Sequence, residues 1–308
     1  MQLLHGVIDS PDIPLNVSRS FLQSDASVKK ISAHISKKVS DKLEEMFKND
    51  REDFEKKWED IKIFIQYGSI TDEKFWDRAK SFFLLKNVEG KYFTLDEYKT
   101  YIETLQKDKN ETLVYLYAAD AEKQHIYIQS AQERGYDVLL MDSILDAHFI
   151  NMLEQKLEKS KFARVDADVI DKLIEKEDSL ISKLSEEERK NLSEIFENSV
   201  EKEKFTVVVE SLNDTDLPVM IMQNEFMRRF QDMERLSGQN GMYGRFEHYN
   251  LVVNDNNEVI VNLLKEEDAE KKSQMTQQLV DLALLSQNML TGEKLSQFVR
   301  RSLDFIAK

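Results

Sequence analysis

The run Leu113-Val114-Tyr115-Leu116-Tyr117-Ala118 constrains the fold of this chain more than any other feature. Six apolar residues, rich in β-branched and aromatic types, read as a strand. A helix is expected from about Asp120 to Arg134. Gly135 should end it, because a residue without Cβ suits the left-handed C-terminal cap. Val138-Leu139-Leu140-Met141 reads as a second buried strand, a helix follows from about Leu145 to Leu157, and Phe162-Ala163-Arg164-Val165 reads as a third strand. Strand, helix and strand at this spacing predict a βαβ unit, with a parallel sheet and a right-handed crossover.

Around this unit the chain is helical. Three prolines and eight glycines in 308 residues leave few breakers. Asp9-Ser10-Pro11-Asp12-Ile13-Pro14-Leu15 is a proline-fixed loop. Val28, Ile31, Ile35, Val39, Leu43, Met46 and Phe47 then recur at three- and four-residue spacing, as on an amphipathic helix. A second helix is expected to carry Phe54, Trp58 and Ile61, and others to follow Thr71 and Thr94. Thr94 with Glu97, and Ser185 with Glu188, fit capping boxes, in which each side chain satisfies a free amide at a helix start. From Asp166 to Lys204 the character changes, with 13 acidic against 7 basic residues, which marks a boundary. Beyond it Phe205 to Val209, Leu251 to Val253 and Val259 to Val261 look like strands, the last two joined by a turn at Asn254-Asp255-Asn256-Asn257. Two helices close the chain. The fold class read here is α/β followed by α+β: a helix-rich part with a small parallel sheet over 1–166, then a mixed part over 167–308.

Composition narrows the function. With a formal charge of −15, the chain is a poor partner for phosphate backbones or anionic membranes, so neither nucleic acid nor membrane is expected. No apolar run reaches the roughly 18 residues of a membrane span. The absence of cysteine removes disulfides, thiolate nucleophiles and Cys-based metal sites. Without a basic, then apolar, leader at the start, a cytoplasmic location is expected.

Candidate sites are few. Asp120 and Asp142 follow the two best strands, where open α/β sheets place ligands. They could hold Mg²⁺ for phosphoryl transfer, but helix capping is the better reading, because no third acidic partner or glycine-rich loop accompanies them. Gly238-Gln239-Asn240-Gly241-Met242-Tyr243-Gly244 lacks the context of a phosphate loop. His5, His34, His125, His148 and His248 are scattered, with no metal-like pair. Met220 to Met233 holds four of the eleven methionines, and Met222, Phe226, Phe230 and Met233 share one helical face. Such a face suits varied apolar partners, although a core-facing helix has the same pattern. At the end of the chain, Leu279, Leu282, Leu285 and Met289, then Leu295, Phe298, Val299, Leu303 and Ile306, form two stripes. Their own core or a two-fold helical bundle with a second copy would bury them equally well.

Gly6-Val7-Ile8-Asp9-Ser10-Pro11-Asp12-Ile13-Pro14-Leu15-Asn16-Val17-Ser18-Arg19-Ser20-Phe21-Leu22-Gln23 closely resembles a signature of the heat shock protein 90 chaperone family. Tyr115-Leu116-Tyr117-Ala118, Gly135 to Asp142, Leu282-Ala283-Leu284-Leu285 and Phe298-Val299-Arg300-Arg301 resemble its bacterial HtpG branch. The resemblance implies the later part of a middle domain over 1–166 and a C-terminal dimerisation and client-binding domain over 167–308. The ATP-binding N-terminal domain would be absent. It implies a chaperone that homodimerises through the C-terminal helices and binds non-native client proteins. ATP and Mg²⁺ would belong to the full-length parent only, so this chain by itself is expected to be no enzyme and to need no cofactor or metal.

The resemblance also implies residue roles. Arg19, supported by Asn16 and Gln23, would sense the γ-phosphate held by the absent domain, a guanidinium neutralising phosphoryl oxygens. Met222, Phe226, Met227, Phe230 and Met233 would touch clients, and His148, Phe149 and Asn151 would offer a second client surface. Leu279, Leu282, Leu285, Met289, Leu295, Phe298, Val299 and Ile306 would form the dimer interface.

Overall fold

The computed structural model describes residues 26–177, 180–223 and 248–307. Its contacts group into two compact units: Met1–Ile102 with Met141–Glu158, and Glu103–Leu140 with Lys159–Lys308. This grouping differs from the division expected at 166/167, because residues 103–140 and 159–166, with the three parallel strands, go with the C-terminal unit.

The first unit opens with α1 (Ala26–Asn49) and α2 (Arg51–Thr71). Asp50 separates them, its extended backbone starting α2 and its carboxylate accepting from the Asp53 amide at 3.0 Å. Asp72 caps α3 (Glu73–Ala79) in the same way. Gly68 permits the close approach of α2 and α3: a Cβ there would lie 2.9 Å from the Phe75 ring. A hairpin of β1 (Leu84–Lys86) and β2 (Tyr92–Thr94) pairs Leu84 with Thr94. It runs into α4 (Leu95–Ile102). The predicted box is present there, with Glu97 accepting from the Thr94 amide at 2.8 Å and Thr94 Oγ1 from the Glu97 amide at 3.3 Å.

Aromatic rings fill this core. Trp58 meets Phe83 edge-on at 5.1 Å, and Phe54 meets Phe82 at 6.2 Å. The helix Asp146–Lys156, labelled α6 after its place in the chain, completes the unit by stacking Phe149 on Phe83 at 4.5 Å.

The second unit carries two sheets. In the first, β3 (Leu113–Ala118) lies between β4 (Leu139–Leu140) and β5 (Ser160–Arg164), all parallel, so the expected parallel sheet is present. Every residue of β3 is buried, which explains its unbroken apolar run. The helix between β3 and β4, α5 (His125–Glu133), is shorter than expected. Gln124 takes the Ala119 and Asp120 amides on its Oε1 and holds 120–124 as a turn. Gly135 has φ +75°, as its capping role requires.

After α7 (Ile170–Leu173) and α8 (Glu186–Glu197), β6 (Phe205–Glu210), β7 (Val219–Met222) and β8 (Tyr249–Asn254) form the second sheet in the order β6–β8–β7. The Ser185–Glu188 capping box that starts α8 is complete. The expected hairpin from Leu251 to Val261 is corrected by the structure. Val259-Ile260-Val261 lies in α9 (Glu258–Lys265), and Asn257 caps that helix by accepting from the Val259 amide. Ile260 and Leu263 are fully buried, a helical spacing that three adjacent β-branched residues concealed. The Asn254–Asn257 stretch is a buried staple. Asn254 donates to the Asn213 carbonyl at 2.8 Å and Asn256 to the Ile181 and Leu212 carbonyls at 3.1 Å. The chain closes with α10 (Ala269–Ser286) and α11 (Gly292–Ile306). No helix among the described residues is long and apolar enough to cross a membrane.

Candidate functional site

The terminal helices form the most unusual surface among the described residues. On α10, Leu279, Val280 and Ala283 join the aliphatic core of the second unit with Leu192, Phe196, Leu251 and Ile260. Leu282 and Leu285, one helical step away, point outward. On α11 apolar residues lie on two sides. Phe298 is buried and Leu295 and Phe305 are half-buried, and polar contacts with α10 lie beside them. Gln278 Nε2 donates to Ser302 Oγ at 2.8 Å, Arg301 Nε donates to Gln278 Oε1 at 2.7 Å, and Arg301 pairs with the buried Asp281. The apolar stripe Val299, Leu303 and Ile306 faces out, 48%, 60% and 81% exposed. The i, i+4, i+7 spacing of this stripe puts it on one face of the helix as an exposed apolar patch. Of the expected interface residues, Leu279 and Phe298 are therefore corrected to the chain's own core, and Met289 and Leu295 are half-buried, Met289 packing on that core. Leu282, Leu285, Val299 and Ile306 are exposed, together with Leu303.

A lateral ion pair holds the start of α11. Glu201 takes both Lys204 at 2.8 Å and Lys294 at 2.7 Å, and these hydrogen bonds bring its carboxyl down to about 2.

The expected second client surface divides along α6. His148 is exposed and Asn151 half-buried, whereas Phe149 is fully buried, edge-on to Trp76 at 5.9 Å as well as stacked on Phe83. Phe149 is thus a core residue rather than a contact residue. A stronger surface feature was missed: Ile144, 63% exposed, lies one turn before His148. Buried polar groups anchor the start of this helix. Asp146 accepts from the Ser143 amide at 2.7 Å and from Gln66, and burial pushes its carboxyl up. Lys62 donates to Asp142 at 3.0 Å.

Met222 is also corrected. It ends strand β7 and is buried, so no helical stripe begins there. Phe226, Met227, Phe230 and Met233, the glycine cluster 238–244, and Asn16, Arg19 and Gln23 lie outside the described residues.

The two aspartates weighed for Mg²⁺ are engaged otherwise. Asp120 accepts from the Glu122 and Lys123 amides and from Lys123 Nζ at 2.7 Å, whose hydrogen bond lowers its pKa. Asp142 pairs with Lys62. Among the described residues no three His, Asp or Glu side chains converge as metal ligands.

A family model described as Hsp90 protein matches residues 1–303. The chain is 42% identical, over 99% of its length, to the chaperone protein htpG of Bacteroides fragilis, and covers 55% of that relative. It is 43% identical over 98% of its length to chaperone protein HtpG of Porphyromonas gingivalis, covering 54%. At greater distance, it is 30% identical over 92% of its length to chaperone protein HtpG of Clostridium perfringens, covering 45%. The chain thus spans about half the length of these relatives.

Proposed function

The chain belongs to the heat shock protein 90 family, and from that premise we propose that it is the dimerising, client-binding part of a molecular chaperone. Residues 1–166 are the later middle-domain part in this reading, and 167–308 the C-terminal domain. The full-length parent is a cytoplasmic, ATP-driven clamp that assists folding under stress. Two copies associate through α10 and α11, and weak contacts on the two arms add by effective concentration. ATP and Mg²⁺ belong to the parent. Arg19, with Asn16 and Gln23, reads its γ-phosphate by neutralising phosphoryl oxygens, so this chain alone turns over no substrate. Phe226, Met227, Phe230 and Met233 contact non-native clients, and His148 and Asn151 add a second surface.

The observation that carries the dimer is the exposed apolar stripe Val299, Leu303 and Ile306 on α11. Removing α10 would test it poorly, because Leu279, Val280 and Ala283 are core residues. Leu303→Glu with Ile306→Glu alters only exposed positions. Light scattering after size exclusion should give a dimer for the parent chain and a monomer for the double variant, at tens of micromolar and with an unchanged melting temperature. A parent chain that is monomeric at that concentration defeats the proposal.

A further inference from the structure

We propose that Arg134, with Asp171 and Asp216, is a clamp that fuses the small parallel-sheet segment to the C-terminal sheet, so that the two move as one body across the sequence boundary at 166/167. All the residues involved lie in the second compact unit. Arg134 stands at the C-terminal end of α5, where the helix dipole favours a cation. Its guanidinium forks in two directions. Nε and Nη2 donate to Asp171, just inside α7, at 2.7 and 2.9 Å. Nη1 and Nη2 donate to Asp216, in the loop before β7, at 3.2 and 2.7 Å. Nη1 also donates to the Ser130 carbonyl at 3.1 Å and lies 3.0 Å from Ser130 Oγ. Planar, bidentate pairing of this kind fixes direction as well as distance.

The packing around the clamp explains why direction is needed. Beside it lies a cavity of about 210 Å³, lined by Ile126, Tyr127, Leu212, Leu217, Met220 and Met222 among others. A groove open to solvent on this side leaves few packed apolar atoms between α5 and β7, so directional polar contacts are left to set their orientation. Directional polar contacts cross the same seam. Tyr127 Oη donates to the Ile221 carbonyl at 2.9 Å and accepts from Gln287 Nε2 at 2.7 Å, and Lys172 pairs with Glu210. Arg134 is the hub of this seam, because it meets carboxylates from two other segments at once, and its side chain and that of Asp216 are largely buried. Breaking a buried ion pair leaves an uncompensated buried charge, which penalises arrangements that separate Arg134 from Asp216. The clamp therefore acts as a register device.

Hydrogen exchange on the full chain tests this, and its readout involves neither dimer nor client, so its outcome is separable from that of the chaperone reading. With Arg134→Gln, amides of α5 and α7 should exchange at least tenfold faster, while those of β6 and β8 keep their rates. Asp216→Asn keeps the Asp171 pair and is the milder variant, with an intermediate effect expected on the same amides. The double variant should exchange no faster than Arg134→Gln alone. Unchanged rates in α5 and α7, an equal acceleration throughout the unit, or additive effects of the two substitutions would each overturn the clamp.

Discussion

Helices α6 and α11 carry similar apolar spacing and use it in opposite ways. On α6, Phe149, Ile150 and Leu153 are all buried, the first against Phe83 and Trp76. On α11, Phe298 alone is buried, while Val299, Leu303 and Ile306 remain in solvent. The difference lies in what each helix meets. α6 lies beside an aromatic cluster with faces to cover, so its apolar side chains are absorbed. α11 meets the polar side of α10, where Gln278 and Asp281 engage Ser302 and Arg301, so its apolar stripe has no local partner. A stripe in sequence thus announces burial without saying in whose core.

The sharpest way to break this contrast is Phe149→Ala. If Phe149 is core, losing its ring should cost about 3–5 kcal/mol. Denaturant unfolding followed by tryptophan fluorescence reads this in the first unit alone, since both tryptophans, Trp58 and Trp76, belong to it. A loss below about 1 kcal/mol would return Phe149 to the surface.

A second comparison sits within α10. Leu279→Ala should cost about 2–5 kcal/mol in the C-terminal unit, measured by calorimetry on a monomeric background. Leu282→Ala, three residues on and exposed, should stay within about 0.5 kcal/mol there and weaken only self-association. Equal costs would erase the division between the inner and outer faces.

The smallest expected effect concerns Asp146. Burial raises its folded pKa above the unfolded value, so folding favours the protonated form. Below the unfolded pKa, near 3.9, both states are protonated and no penalty exists. As pH rises beyond it, the unfolded chain gains by ionising and the native state loses relative stability. Asp146→Asn should therefore raise the unfolding midpoint at pH 7, and the gain should shrink toward zero near pH 4. A pH-independent difference would exclude ionisation as its cause.

Local chemistry was legible from the sequence. Thr94 with Glu97, Ser185 with Glu188 and Gly135 each act within a few residues, through hydrogen bonds or a backbone angle that no distant contact needs to supply. The parallel sheet was legible because β3 is buried on both faces and must be apolar throughout. Val259 to Val261 misled because β-branched propensity is weak beside a capping asparagine and the burial of Ile260 and Leu263. Met222 misled because its apolar spacing continues from a strand, and period alone does not mark where a strand ends.

By itself, then, the sequence determined the capping boxes at Thr94 and Ser185 and the Gly135 cap, though not the caps expected at Asp120 and Asp142, together with the parallel βαβ strands, the family and the two apolar stripes at the end of the chain. Only the tertiary structure decided that Phe149 and Leu279 face inward, that Val299 and Ile306 face outward, and that Arg134 meets Asp171 and Asp216, which lie 37 and 82 residues further along the chain. Caps and strands are set by neighbours in sequence. Burial and ion pairing are set by whichever surfaces the fold brings together, and these come from residues that sequence spacing does not connect.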